Sequence, residues 1–185
     1  MRIVAGTLRG RRLVAPKGHS TRPTADRVRQ ALFDVLEHAA WAPALAGLKV
    51  IDLFAGSGAL GLEALSRGGV FCLFVDGDPA ARAAIARNIE TLGLTSRTQV
   101  NGADAASLGG GPAFDLAFLD PPYGQGLAER AMAALLSGGR LAAGAIVVVE
   151  RGSAEATAET PGFDVIDERV WGPARVSFLK ALGGP

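Results

Sequence analysis

The 185-residue chain is poor in the residue types that most often carry chemistry, with one cysteine, one tyrosine and two histidines. Cys72 stands alone in the apolar run Val70-Phe71-Cys72-Leu73-Phe74, so no internal disulfide can form and no cysteine cluster can hold a metal. His19 and His38 both precede the central part of the chain, which leaves no histidine there for proton transfer or metal ligation. No apolar stretch approaches the roughly 20 residues of a membrane span. Arg9, Arg11 and Arg12 come too early to leave room for the apolar core of a signal peptide. A reduced, cytoplasmic setting without membrane or metal is the expectation. Besides phenylalanine the aromatics are only Trp41, Tyr123 and Trp171, too few to lay stacking platforms for an unstructured single strand.

What is present is an ordinary globular composition, 49% hydrophobic and 20% charged, at a length that suits one domain. No internal repeat is visible. The formal net charge of +1 hides an asymmetry. Residues 1–29 carry Arg2, Arg9, Arg11, Arg12, Lys17, Arg22, Arg27 and Arg29 against Asp26 alone, while the remainder is net acidic. One end is therefore suited to a polyanion, nucleic acid being the obvious candidate, and a solvated basic arm is the alternative.

Two short strands, Arg2 to Ala5 and Arg11 to Ala15, are expected to form a basic hairpin. After Pro23, Thr24 can cap a helix whose stripe is Val28, Ala31, Leu32, Val35 and Leu36, with Arg27 and Gln30 off it. From Lys49 strands and helices alternate. Strands are expected at Lys49–Phe54, Phe71–Val75, Thr98–Asn101, Phe114–Leu119 and Ala145–Val149, and helices at Leu60–Arg67, Pro79–Leu92 and Leu127–Leu136. Asp78 before Pro79 reads as a helix cap, and Gly93 as a helix stop. Two last strands, Phe163–Trp171 and Ala174–Leu182, can pair through Gly172-Pro173. The expected fold is thus α/β, a mostly parallel seven-stranded sheet ending in an antiparallel hairpin. Residues 1–41 read as a basic extension and 42–185 as the main domain.

Asp52-Leu53-Phe54-Ala55-Gly56-Ser57-Gly58 places two glycines where a buried strand turns into a helix, the position at which open α/β sheets meet ligands. Gly56 to Gly61 also has the spacing of a dinucleotide fingerprint, and Asp76 lies 20 residues after Gly56, where a carboxylate can hold ribose hydroxyls. The loop alone leaves a nicotinamide oxidoreductase open. Asp52 favours a ligand bearing an amino group over a pyrophosphate, and S-adenosylmethionine carries both ribose and amine. Asp78, given over to capping, is the weaker rival of Asp76. Asp104 is placed either to meet an adenine amino group or to make an ordinary turn.

Leu119-Asp120-Pro121-Pro122-Tyr123 should end a neighbouring strand at the same sheet edge. An exocyclic amine is a weak nucleophile because its lone pair is delocalised. Asp120 and the Pro121 carbonyl could accept its two hydrogens and aim it, the prolines stiffen the backbone, and Tyr123 can stack on a base. A glycine loop, an acid ending the second strand and this loop after the fourth form the order that an amino methyltransferase using S-adenosylmethionine needs.

The chain resembles the RsmD-like family, which methylates the N2 amino group of a guanine in 16S ribosomal RNA. The resemblance rests on Met1 to Gly6 with Gly10-Arg11-Arg12-Leu13, on Thr21-Arg22-Pro23-Thr24 with Arg27-Val28-Arg29 and Ala31-Leu32-Phe33, on Asp52 through Gly68, and on Asp120 to Tyr123. It implies a class I, Rossmann-like methyltransferase that is cytoplasmic and acts on ribosomal RNA, within a partly assembled small subunit, with a monomer favoured. Arg9, Arg11, Arg12, Lys17, Arg22 and Arg27 are the expected RNA contacts, although Thr24 and Arg27 could equally line the cofactor site. Val75-Asp76-Gly77-Asp78 stands where Val-Glu-Lys-Asp is common in the family, and Trp171-Gly172-Pro173-Ala174-Arg175 where Tyr-Gly-Lys-Thr is. DNA adenine or protein glutamine as the amine, and an RNA-binding module without catalysis, are the competing readings.

Overall fold

The computed structural model describes residues 1–16, 23–155 and 160–182. Seven strands form one sheet in the order β3-β2-β1-β4-β5-β7-β6. They are β1 (Lys49–Leu53), β2 (Phe71–Val75), β3 (Thr98–Asn101), β4 (Phe114–Leu119), β5 (Leu141–Gly152), β6 (Phe163–Trp171) and β7 (Ala174–Ala181). β1 to β5 run parallel, and β7 lies antiparallel to both β5 and β6. The apolar runs in β1, β2 and β4 follow from this placement, because a central parallel strand is covered on both faces.

The helices are α1 (Pro23–His38), α2 (Ala59–Ser66), α3 (Pro79–Leu92) and α4 (Leu127–Ser137). On one face of the sheet Leu32, Phe33 and Leu36 of α1, Leu62 and Leu65 of α2, and Ile85 and Ile89 of α3 share a core with Val50, Phe118 and Phe178. On the other, Ala131, Met132 and Leu135 of α4 pack on Ile51, Ala117 and Val147. α3 keeps its expected bounds: the Asp78 carboxylate accepts the Ala80 N–H at 2.9 Å, and Gly93 ends the helix at φ 69°.

Three expectations shift. α1 begins at Pro23, so Thr24 falls inside the helix instead of capping it, proline being well tolerated in a first turn. The deepest residues of α1 are Arg29, Leu32, Phe33 and Leu36, a stripe rotated from the expected one with a charged residue in it. β5 extends well beyond Ala145–Val149, because its end acquires β7 as an antiparallel partner from Glu150 to Gly152.

The basic hairpin is narrower than two strands: a single antiparallel bridge joins Arg2 and Arg12. Ile3 donates to the Arg11 carbonyl and Gly10 to that of Ile3, both at 2.9 Å. Beyond these bonds the hairpin is held by the end of α2. Glu63, fully buried, accepts the Val4 and Ala5 amides at 2.7 and 2.9 Å. The Ser66 hydroxyl donates to the Ala5 carbonyl and accepts the Leu8 amide. A Cβ on Gly6 would lie 2.0 Å from the Ser66 oxygen, so only glycine allows this approach. Ile3 and Leu13, both buried, join the hairpin to the main core; each fully buried side chain of this kind stabilises by roughly 1.5–3 kcal/mol.

Candidate active site

The C-terminal ends of β1, β2, β4 and β5 converge on one edge. Phe54, immediately after β1, has φ 57°, making it the one non-glycine in the left-handed region among the described residues. The chain thus leaves the strand through a strained turn, the kind of conformation that persists only where its surroundings hold it. Gly58 continues the turn at φ 76° and leads into α2. Gly61 serves packing: a Cβ there would lie 2.5 Å from both Cys72 Sγ and Phe74 Cε1, so α2 can sit this close to β2 only without a side chain.

Carboxylates pin the loop. Asp76 accepts the Gly56 amide at 2.8 Å with one oxygen and the Asp78 amide at 2.9 Å with the other. Asp52, buried, accepts the Gly61 amide at 2.9 Å. A carboxylate has about four lone-pair positions, so both acids keep capacity for a ligand. Burial pushes the Asp52 carboxyl well above the usual carboxylate range; the Gly61 amide opposes this, and Asp120 and Asp76 add to it.

Two adjacent cavities flank the loop. One, of about 270 Å³, is lined by Asp52, Phe54, Ala55, Gly56, Ser57, Asp120, Tyr123 and Glu150, with Met1 and Arg29 closing one side. The other, of about 530 Å³, is lined by Phe54, Gly56, Asp76, Asp78 and Asp120 to Tyr123, with Pro16 beside them. Phe54, Gly56, Asp120 and Tyr123 border both, so the two volumes meet at the reaction loop. The expected loop residues are thereby brought together.

Asp120 is open at the cavity mouth, yet protein surrounds its carboxyl closely. That desolvation raises it to about 7, and the charge of Glu150 pushes the same way. Glu150 itself is raised by burial, against the Tyr123 hydrogen bond that favours its ionised form. The Tyr123 hydroxyl donates to Glu150 Oε1 at 2.8 Å, and desolvation followed by the Glu150 charge holds the phenol well above its ordinary value. Tyr123 therefore keeps its proton while its ring stands half exposed. The arrangement can accept hydrogens from an amine and take up a proton. Its crowd of acids also favours a cationic guest.

Other expected residues lie apart. Asp104 caps a 3-10 turn, Ala105–Ser107, by accepting the Ala106 amide at 2.9 Å, and neither cavity includes it. Arg9, Arg11, Arg12 and Arg27 are exposed, and Arg11 donates to the Thr91 carbonyl at the end of α3. Lys17 and Arg22 lie outside the described residues. Arg29, one of the basic residues of the opening, does not face solvent: it pairs with Asp26 at 2.9 Å and stands 3.7 Å from Glu63.

The sequence reading missed Glu150, Arg29 and Met1. For Glu150 a signal existed: a carboxylate directly follows a buried apolar strand that neighbours the Asp120 strand. Nothing in the sequence announced Met1, whose sulfur accepts the Ser57 hydroxyl at 3.2 Å.

The residues present fit S-adenosylmethionine. Asp52 and Asp76 offer acceptors for an ammonium group and for hydroxyls. Arg29 lines the smaller cavity and brings it a positive charge, its Nε standing 3.7 Å from Glu63. A pyrophosphate would meet five acids instead, Asp52, Asp76, Asp78, Asp120 and Glu150.

Comparison with known proteins agrees with this geometry. The family model described as Conserved hypothetical protein 95 matches residues 1–180. Ribosomal RNA small subunit methyltransferase D of Escherichia coli K12 is 38% identical over 81% of this chain and 74% of its own length. Its namesake in Haemophilus influenzae is 36% identical over 81% of this chain and 78% of its own. The solved structure of the Escherichia coli protein yhhF superposes with TM-score 0.86 at 34% identity, covering 98% of this chain and 97% of that one. These matches place the chain in the RsmD family of methyltransferases.

Proposed function

We propose that this protein transfers a methyl group from S-adenosylmethionine to the exocyclic N2 amino group of a guanine in small-subunit (16S) ribosomal RNA. The observation that carries the proposal is the meeting of two cavities at Asp120 and Tyr123, one bordered by Asp76 and the other by Asp52.

When bound, the cofactor supplies an electrophilic methyl on a sulfonium cation. Asp52 and Asp76 would hold its ammonium and ribose groups, the positive charge of Arg29 would favour its carboxylate, and the Gly56 and Gly58 backbone would allow the close approach. Asp104 remains a candidate for the adenine amine through the oxygen that its turn does not use. Asp120 and the Pro121 carbonyl accept the two N2 hydrogens and turn the nitrogen lone pair toward the methyl. Tyr123 stacks on the base. Transfer would break the methyl carbon–sulfur bond, its electron pair staying on the sulfur of the departing S-adenosylhomocysteine, and the nitrogen would give up a proton, which Asp120 is suited to take because its carboxyl sits near neutrality. No covalent enzyme intermediate is required.

Residues 1–41 are the proposed RNA-facing extension and 42–185 the cofactor domain, working in the cytoplasm as a monomer on a partly assembled subunit. Arg9, Arg11, Arg12 and Arg27 are exposed and stand where phosphates could reach them, Arg11 while also bonding Thr91, with Lys17 and Arg22 between them in the chain. Among the described residues no helix is long and apolar enough to cross a membrane. Cells lacking the gene provide the test. Their 16S RNA should have lost one N2-methylguanine, restored by the wild-type gene and not by Asp120→Asn; an unchanged set of N2-methylguanines would sink the proposed target.

A further inference from the structure

The sheet order gives the reaction loop two different neighbours. β1 carries the glycine loop and β2 carries Asp76 on one side of β4, while β5 delivers Glu150 on the other. The cavity that the glycine loop and Asp52 line from β1 also takes Glu150 from β5, together with Asp120 and Tyr123, so an acceptor base held at Asp120 comes within reach of Glu150. Glu150 spends Oε1 on the Tyr123 hydroxyl, and Oε2 makes no hydrogen bond among the described residues. The tyrosine bond fixes the carboxylate and leaves one acceptor beside Asp120.

Two adjacent acceptors distinguish the bases that bear amino groups. In adenine and cytosine the ring nitrogen beside the amino group is an acceptor, so a carboxylate there would face a lone pair. Guanine alone of the three places a donor, N1–H, next to its N2 amine. We infer that Glu150 is a specificity-determining residue: its free oxygen accepts the guanine N1–H while Asp120 holds the N2 amine, and the pair selects guanine over adenine and cytosine. This rests on the function proposed above and assigns the recognition step within it. Loss of a partner for a buried polar group is how sites of this kind reject an analogue, typically far more strongly than by shape alone.

The test uses small-subunit RNA, or particles reconstituted from it, carrying either guanine or 2-aminopurine at the mapped target. 2-Aminopurine keeps the amino group but offers a lone pair at N1. The wild-type protein should prefer guanine by roughly 100-fold or more in kcat/KM. In Glu150→Gln, whose amide can donate to that lone pair, the guanine to 2-aminopurine ratio should fall by about tenfold or more. Glu150→Ala, which removes the acceptor without adding a donor, should also shrink the ratio, through lost activity on guanine. It serves if the glutamine variant folds poorly, with folding checked by S-adenosylhomocysteine binding. A role confined to holding Tyr123 lowers both substrates equally and leaves the ratio unchanged, and that result overturns the inference. A wild-type protein inactive on guanine RNA would instead overturn the function on which it rests.

Discussion

The molecule gathers acids in two regions, and it treats them in opposite ways. Under the hairpin, Glu63 is met on every side: two backbone amides, the Arg67 guanidinium at 2.9 Å and the Arg29 guanidinium at 3.7 Å. Arg67 is in turn paired with Glu37 at 2.8 Å and lies over the Phe33 ring. At the sheet edge, Asp52, Asp120 and Glu150 have only an amide and a phenol among them, and each is raised by burial. In the first region the acid finds its partners within the chain, so it holds structure. The second is left electrically incomplete, so it favours a ligand that brings positive charge and N–H donors. A buried acid thus marks a joint when its partners are internal, and a site when they are missing.

Removing Glu63 should produce the largest loss. Glu63→Ala leaves the Val4 and Ala5 amides without their acceptor and strips Arg67 and Arg29 of one of their two acidic partners, at a cost of about 3–5 kcal/mol, readable by urea denaturation. An unaffected midpoint would break the contrast at its structural end. Asp120→Asn should instead leave the protein folded and lower kcat by roughly 10²–10³, the range for losing one charge-stabilising group. Gly61→Ala comes next, at about 1–3 kcal/mol, because its methyl would overlap Cys72 and Phe74.

The pH dependence separates the regions more finely. With the Asp120 carboxyl at about 7, kcat/KM should rise as pH passes upward through that value, since the ionised form accepts the amine hydrogens. At saturating cofactor the sulfonium charge favours ionisation, so the midpoint in kcat should lie lower. Stability runs the other way. The folded value exceeds the unfolded one, so the carboxyl's contribution is complete below about pH 4 and is lost as pH rises through about 7. Asp120→Asn should therefore melt higher than wild type above pH 7 and equally near pH 4; an equal gap at both would contradict this. The smallest effect belongs to the basic surface: each of Arg9, Arg11 and Arg12 removed should reduce the salt slope of RNA affinity by about 0.7–0.9 if it meets a phosphate.

Much of this was legible in the sequence, for identifiable reasons. β2, β4 and α3 have the bounds expected from their apolar runs and from the Asp78 and Gly93 signals, because local chemistry sets those ends. The glycine loop and Asp120 to Tyr123 were legible because chain order alone brings both to one sheet edge. The hairpin was harder: its hold on Glu63 and Ser66 spans about sixty residues of sequence, beyond any local pattern. Arg29 was counted with the polyanion-facing charges since sequence does not reveal that Asp26 and Glu63 neutralise it. Glu150 looked like an ordinary strand end until the sheet order set β5 beside β4. Asp104 remained divided between ligand and turn, and its turn bond is the one the structure displays.

The central claim is that the incomplete cluster of acids performs methyl transfer to a guanine amine. Its most direct test incubates the purified protein with S-adenosylmethionine labelled in the methyl group and with small subunits from cells lacking the gene, followed by nucleoside analysis of the RNA. The account predicts label in N2-methylguanosine with wild type and none with Asp120→Asn. Label in a different nucleoside, or equal label from the two proteins, would contradict it.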